Sequence, residues 1–500
     1  MALLSSIASW LLKKRIHEIE LYKKYPYEVQ RELFEKLIQT AEHTEWGKMY
    51  NYTEINSVSK YQESVPISTY HDLEPYFNRM RKGESDILWP EDIQWFAKSS
   101  GTTNSKSKFI PVTDDSLNEC HYSGGKELLA VYHEAYPESE FLSGKTIAVA
   151  GSTKQDSNGG VYVGDLSAIL MSNLPIWAHL SKTPKLSIVV MDEWQEKLEK
   201  IVEHTLEEDV RAISGVPSWM LVILRRALEV SGKKHIKDLW PNFELVVHGG
   251  VSFAPYAQQF DDICGHDVHY QEVYNASEGF FAMQDDFERD DMLLMLDNGV
   301  FYEFMPMSEY HNENPKTLGL KEVELGVTYA LVISTNAGLW RYLIGDTVVF
   351  TSLHPFRIRI NGRTKSFINA VGEELVVENA DSAILHACSM TNAVMSEYTA
   401  APIYFSNKKK AGHEWLIEFE REPEDIDLFT EFLDNGLKMV NSDYEAKRYQ
   451  NMVLTPPKVR KLPKGSFMKW LGKRNRLGGQ YKVPRLSNER RIIEEIVELV

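Results

Sequence analysis

Five hundred residues, 43% of them apolar and 25% charged, exceed what one hydrophobic core holds, so a folded chain of two or more domains is expected and a disordered or fibrous one excluded. A formal charge of −17 disfavours nucleic acid as the main partner, because clustered Lys and Arg on phosphates supply most of such affinity. Cys120, Cys264 and Cys388 lack close pairing or metal spacing, which fits a reducing, cytoplasmic setting without a disulfide framework.

The chain opens with an apolar run before Lys13-Lys14-Arg15, whereas a signal peptide puts its charges first. The run is too short to span a bilayer and reads as an amphipathic helix packed on the body, with reversible membrane contact as the alternative and no stable insertion. Up to about residue 46 the pattern is helical, with Leu21, Tyr25, Val29, Leu33 and Leu37 at helical spacing. Next, Trp95 and Phe96, and then Phe109, Ile110 and Val112, lie in β-prone runs around Ser99-Ser100-Gly101-Thr102-Thr103, with Lys106 and Lys108 following. Hydroxyls, backbone N–H groups and ammonium groups so concentrated suit a phosphate chain; a polar surface hairpin fits the same residues. No helix opens after the loop, so it is not a Walker A loop.

Residues 115–133 read as a helix, and Gly144-Lys145-Thr146 precedes the strand at 147–150, the wrong order for a phosphate loop. Residues 151–173, Gly- and Ser-rich around Tyr162, Asp165 and Met171, read as an irregular loop, either lining a pocket or merely connecting. Pro217 starts a helix over 220–230, and a strand at 245–248 runs into Gly249-Gly250, which suits either a flat ring or a tight turn. After a strand at 267–271 comes Val273-Tyr274-Asn275-Ala276-Ser277-Glu278-Gly279; it is a solvated strand end or, through Glu278, a ligand for a hard divalent ion. Cys264, His266 and His269 are too few for zinc and read as locally bonded. A strand at 330–335 leads to Gly338-Leu339-Trp340-Arg341-Tyr342 and Gly345-Asp346, where a carboxylate can take two hydroxyls or close a turn. Beyond Gly362-Arg363-Thr364-Lys365, helices at 378–390 and 426–439 and strands at 401–405 and 415–419 make a small α+β domain. Residues 458–485 are strongly basic, reading as a solvated face or a phosphate receiver.

Taken in order, the stretches at Ser99, Tyr274, Asp346 and Arg363 resemble the motifs of the adenylate-forming superfamily of acyl-CoA synthetases, adenylation domains and luciferases. The serine-threonine loop with Lys108, and the Gly-Leu-Trp-Arg-Tyr lead-in, look most like its branch named for the auxin-responsive Gretchen Hagen genes, the acyl acid amido synthetases. Asn104, Ser107, Asn275 and Lys365 depart from the wider pattern.

The resemblance implies an α/β fold: a large multi-layer N-terminal domain, 1–364, with a β-barrel portion, closed by a small mobile α+β domain, 365–500, on a hinge at Lys365. It implies ATP and Mg²⁺. Ser99, Ser100, Gly101, Thr102, Thr103 and Lys108 would hold the β- and γ-phosphates, and Gly249, Gly250 and the Tyr274 ring would meet adenine. Within the Tyr274-Asn275-Ala276-Ser277-Glu278 motif, Ser277 would meet the α-phosphate and Glu278 the metal, while Asp346 and Arg363 would hold the ribose. Lys482, in Gly478-Gly479-Gln480-Tyr481-Lys482, resembles the lysine the family carries into the site from its small domain, and is the catalytic candidate. The expected reaction adenylates a small carboxylic acid and passes the acyl group to an amino acid. Transfer to coenzyme A and an ATP-binding sensor without turnover are the rival readings.

Overall fold

Leu33, Phe34, Leu37, Ile38 and Ala41 recur along one face of the helix Pro26–Ala41, and burying that face docks the N-terminal helices on the sheet below. Gln30 shares the buried face because the strand satisfies it: its amide donates to the carbonyls of Leu296 and Val300 (2.7 and 2.9 Å) and accepts from Tyr302 N–H (3.0 Å). The computed structural model describes residues 14–99, 108–155, 160–310, 312–364, 367–368, 370, 373, 375–404, 411–448, 454–474, 477 and 482–500, so the apolar run before residue 14 lies outside the described residues. No described helix is long and apolar enough to cross a membrane.

The central sheet has eleven strands and changes character at His269–Ala276. On one side Leu245–Gly249, Val210–Gly215, Lys145–Ala148 and Lys182–Thr183 run parallel. On the other, Gly279–Met283, Met292–Leu294, Phe356–Arg363, Tyr342–Leu353, Thr328–Thr335 and Val300–Pro306 run antiparallel. Val210–Gly215 and Leu245–Gly249 bury apolar residues on both faces, as helix-covered strands do. Ala212 and Leu245 face Tyr132 of Tyr122–Ala135; Ile213 and Val246 face Pro217–Ser231 and Ala257–Cys264.

A separate four-stranded sheet, in the order Lys108–Val112, Trp95–Ser99, Tyr162–Gly164, Thr153–Gln155, carries the serine-threonine loop. The stretch 151–173, expected to be irregular, thus contains two strands and the helix Leu166–Ser172. Three-residue strands hold by pairing with Trp95–Ser99 and with each other, which local composition does not reveal.

Val394–Ile403, Gly412–Arg421 and Lys458–Leu462 form the C-terminal sheet, over which Val377–Thr391 and Ile426–Val440 pack around Ile384, Tyr398, Trp415 and Leu433. Within the basic run lie the strand Lys458–Leu462 and the helix Ser466–Lys473. Leu416, Leu462, Phe467 and Trp470 pack in one cluster with Trp219, Leu224 and Phe260 of the preceding body. The link between the two parts is the pair of short strands Phe367–Ile368 and Leu375–Val376. Beside them the buried Glu373 carboxylate lies 2.7 Å from the His413 ring and accepts from Ala370 N–H (2.7 Å).

Candidate active site

In open α/β sheets the ligand crevice lies beyond the C-terminal ends of the parallel strands. There Gly249 pairs with Val273 so closely that a Cβ would sit 2.4 Å from the Val273 carbonyl oxygen. Gly250 follows at φ +82°, a conformation glycine enters without penalty. Its carbonyl turns to accept a hydrogen bond from Lys482 Nζ at 2.6 Å, bringing together residues 232 positions apart. The Lys482 side chain is part-exposed, and its amine feels the charges of Arg363 and Asp346. Burial and the like charge of Arg363 push its pKa down to about 8 against the opposing pull of Asp346.

Asp346 and Arg363 are direct cross-strand partners on Tyr342–Leu353 and Phe356–Arg363. Arg363 Nε donates to Asp346 Oδ1 at 2.7 Å, and the Tyr274 hydroxyl donates to Oδ2, also at 2.7 Å. One donor on each oxygen leaves each a second lone-pair direction, which is what two vicinal hydroxyls require. The alignment survives two irregularities that cancel: Thr351 is unpaired on one strand and Asn361 on the other, so the register lost near the turn is recovered before Asp346.

Ser277 and Glu278 form the turn between His269–Ala276 and Gly279–Met283 and are both buried. Burial raises the Glu278 pKa; Lys108 and Arg363 draw it down, and Asp346 adds to the rise. Lys108 begins its strand directly opposite Ser99, so these two residues form the neck of the serine-threonine loop. The Lys108 ammonium reaches the Tyr342 hydroxyl at 3.5 Å and lies over the Tyr70 ring at 5.6 Å. Ser100 to Thr103, like Lys365, lie outside the described residues.

Residues 15–269, 293–363 and 378–491 match the GH3 family N-terminal, central and C-terminal domains in turn. The chain belongs to the GH3 family. Curated GH3 relatives include the indole-3-acetic acid-amido synthetase GH3.3 of Arabidopsis thaliana, 22% identical over 93% of this chain and 90% of that one. Another is the 4-substituted benzoates-glutamate ligase GH3.12 of the same plant, 24% identical over 91% and 92%. Among solved structures, AtGH3.15 acyl acid amido synthetase in complex with 2,4-DB aligns with a TM-score of 0.81 at 16% identity, over 98% of this chain and 96% of that one. The 2-hydroxyisobutyryl-CoA ligase in its postadenylation state aligns at 0.60 with 11% identity, over 94% and 90%.

Several residues of this GH3 site differ from the sequence expectation. Tyr274 and Asn275 lie within the strand rather than after it, because pairing with Gly279–Met283 extends it to Ala276. Little of the Tyr274 ring is exposed: it packs edge-on against Phe281 (4.9 Å, 62°) with its hydroxyl committed to Asp346. Asn275 faces the other side, where its Oδ1 lies 3.2 Å from Nδ1 of the buried His121. Burial pushes the His121 pKa down to about 4, so the ring is neutral at pH 7. His121 ends the π-helical segment Ser116–His121, and nothing in the local sequence marks that widened turn. His269, considered beside Cys264 and His266, instead stacks on Tyr136 (3.8 Å) with Nδ1 2.8 Å from the Tyr132 hydroxyl. Among the described residues no group of three or more His, Cys, Asp or Glu gathers for a metal. A single buried carboxylate at Glu278 beside the cation Lys108 still fits Mg²⁺, which needs only one or two protein carboxylates when phosphates and water complete its shell.

Proposed function

We propose that this GH3-family chain is an ATP-dependent, AMP-forming acyl acid amido synthetase. It activates a small carboxylic acid as an acyl-adenylate and joins the acyl group to the amine of an amino acid. The observation that carries the reading is the meeting of Lys482 with Gly250 beside Asp346 and Arg363, which gathers the nucleotide-binding candidates around one lysine. Relatives that join acids to amino acids support the amide product.

A carboxylate resists attack, since its charge repels nucleophiles and oxide is a poor leaving group. Attack of a carboxylate oxygen on the α-phosphorus of ATP forms a mixed anhydride and releases pyrophosphate; the amine then attacks the carbonyl carbon and AMP departs. The protein's part in the first step is to position reactants and offset charge. Asp346, oriented by Tyr274 and Arg363, takes the ribose hydroxyls. Lys108, with the loop from Ser99, receives the β- and γ-phosphates. Lys482 bridges the carboxylate and the α-phosphate. Glu278 would hold Mg²⁺, which supplies positive charge to the phosphate oxygens when bound.

The division at 364/365, with Lys365 as hinge between a large domain and a smaller mobile one, belongs to this reading. Coenzyme A as acceptor is the second reading; of the residues 473–476 considered for its phosphate, Arg474 is paired with Glu495. A panel of carboxylic acids in ATP–pyrophosphate exchange, followed by the mass of the product with amino acids or coenzyme A, tests the proposal. Absence of exchange with every acid would favour a nucleotide sensor, and a thioester mass would replace the amino acid with coenzyme A.

A further inference from the structure

Three residues beyond Lys482, Arg485 ends in a buried polar cluster that joins the C-terminal part to the body. Its backbone belongs to the C-terminal sheet: Ala400 N–H donates to Arg485 O (2.8 Å), and the Thr399 hydroxyl to Pro484 O (2.6 Å). Its side chain bridges the two parts. One guanidinium nitrogen donates to Glu397 of the same sheet, and Nη2 donates to the hydroxyl of Tyr256, at 2.7 Å. That hydroxyl in turn donates to the other Glu397 oxygen at 3.2 Å, closing a triangle. The guanidinium also lies over the rings of Tyr398 (4.5 Å) and Tyr256 (5.5 Å).

Tyr256 stands on the turn that leaves Gly250, the residue whose carbonyl holds Lys482. Earlier in the same turn, the Ser252 hydroxyl reaches Asp381, which also accepts from Tyr398 at 2.5 Å. One short turn of the body therefore touches the C-terminal part at Lys482, at Arg485 and at Asp381. Tyr256, Asp381 and Arg485 are nearly inaccessible to water. A buried guanidinium is tolerated only with its partners in place, so the cluster has a strong preference for this one docking.

We infer that Arg485 is a positioning residue: clamped between Glu397 and the Tyr256 hydroxyl, it fixes the approach of Lys482 to Gly250 and so to the reacting carboxylate. Between the two side chains the chain extends no more than about 10 Å, so seating one restricts the other. The clamp belongs to the adenylating arrangement, and any rotation of the C-terminal part must release Tyr256 first. This rests on the role proposed for Lys482.

Tyr256→Phe keeps the buried ring and deletes only the hydroxyl. Pyrophosphate exchange should fall about tenfold in kcat, the scale of a lost hydrogen bond to a charged group, with KM for ATP unchanged. Single-turnover transfer from a synthetic acyl-adenylate to an amino acid should stay within about twofold, which also shows that the variant is folded. In a Lys482→Ala background the same change should cost exchange nothing more, since no lysine is left to position. Equal losses in both half-reactions, or full additivity with Lys482→Ala, would overturn the inference. Wild-type exchange in Lys482→Ala alone would instead remove the proposed role of Lys482, a distinct failure.

Discussion

The Lys482 ammonium donates to the carbonyl oxygen of Gly250, 232 positions upstream, and a Cβ on Gly250 would lie 2.5 Å from that same nitrogen. Gly250→Ala therefore displaces the lysine, and its φ of +82° strains any side chain. Adenylation should fall by about 10²-fold, because misplacement of a catalytic group by an ångström is enough for that. Gly249→Ala presses instead on the backbone of Val273 and should lower the thermal midpoint. Exchange assays and thermal unfolding on both variants separate the effects; unaltered exchange in Gly250→Ala would refute the contact's role.

The working form of Lys482 is its ammonium, and burial with the nearby Arg363 lowers its pKa to about 8. Lowering means the charge is lost earlier on the alkaline side, so kcat/KM for adenylation should decline as pH rises through about 8. The decline should vanish from the profile of Lys482→Ala. A flat wild-type profile between pH 7 and 9 contradicts this assignment.

Asp346→Ala removes the acceptor that Tyr274 and Arg363 orient, and Glu278→Gln removes the one charge proposed for Mg²⁺. Each should reduce acyl-adenylate formation by about 10² to 10³. They differ in a magnesium titration: Glu278→Gln raises the half-saturating concentration, whereas Asp346→Ala leaves it unchanged.

Arg341 forms a buried pair with Glu303, at 3.0 Å for both of its contacts, and also donates to the carbonyls of Gln62 and Val65. Glu303→Ala strands that guanidinium and should destabilise the fold by about 3–5 kcal/mol. Denaturant unfolding measures it. A change below about 1 kcal/mol would show the site to be more hydrated than its burial implies.

That pair shows where sequence reading reaches and where it stops. Gly338-Leu339-Trp340-Arg341-Tyr342 resembles a family signature, yet Trp340 is buried with its N–H on Leu88 O and Arg341 holds Glu303; Tyr342 alone turns to Lys108. Local sequence shows that a glycine or a carboxylate is present, but not what stands across the sheet from it. The helices Pro217–Ser231, Val377–Thr391 and Ile426–Val440 were readable because each follows from nearby residues, whereas strand ends such as that of His269–Ala276 were not. The Asn275–His121 contact, the Tyr274 hydroxyl on Asp346 and the Arg485–Tyr256 bridge each join positions more than seventy apart. Tertiary pairing alone decides them.

The unpaired residues Thr351 and Asn361 are slack in the hairpin that carries the ribose candidates. Removing either one lets its neighbours pair regularly and leaves Asp346 opposite Arg363, because the pairs on both sides of each irregularity are already in place. Deletion of Thr351 alone or of Asn361 alone should therefore retain pyrophosphate exchange; loss of exchange in either would show that the local bend of the strand, and not the pairing, aims Arg363. A hairpin with an unpaired residue on each strand can lose one from either side without parting the two residues at its mouth.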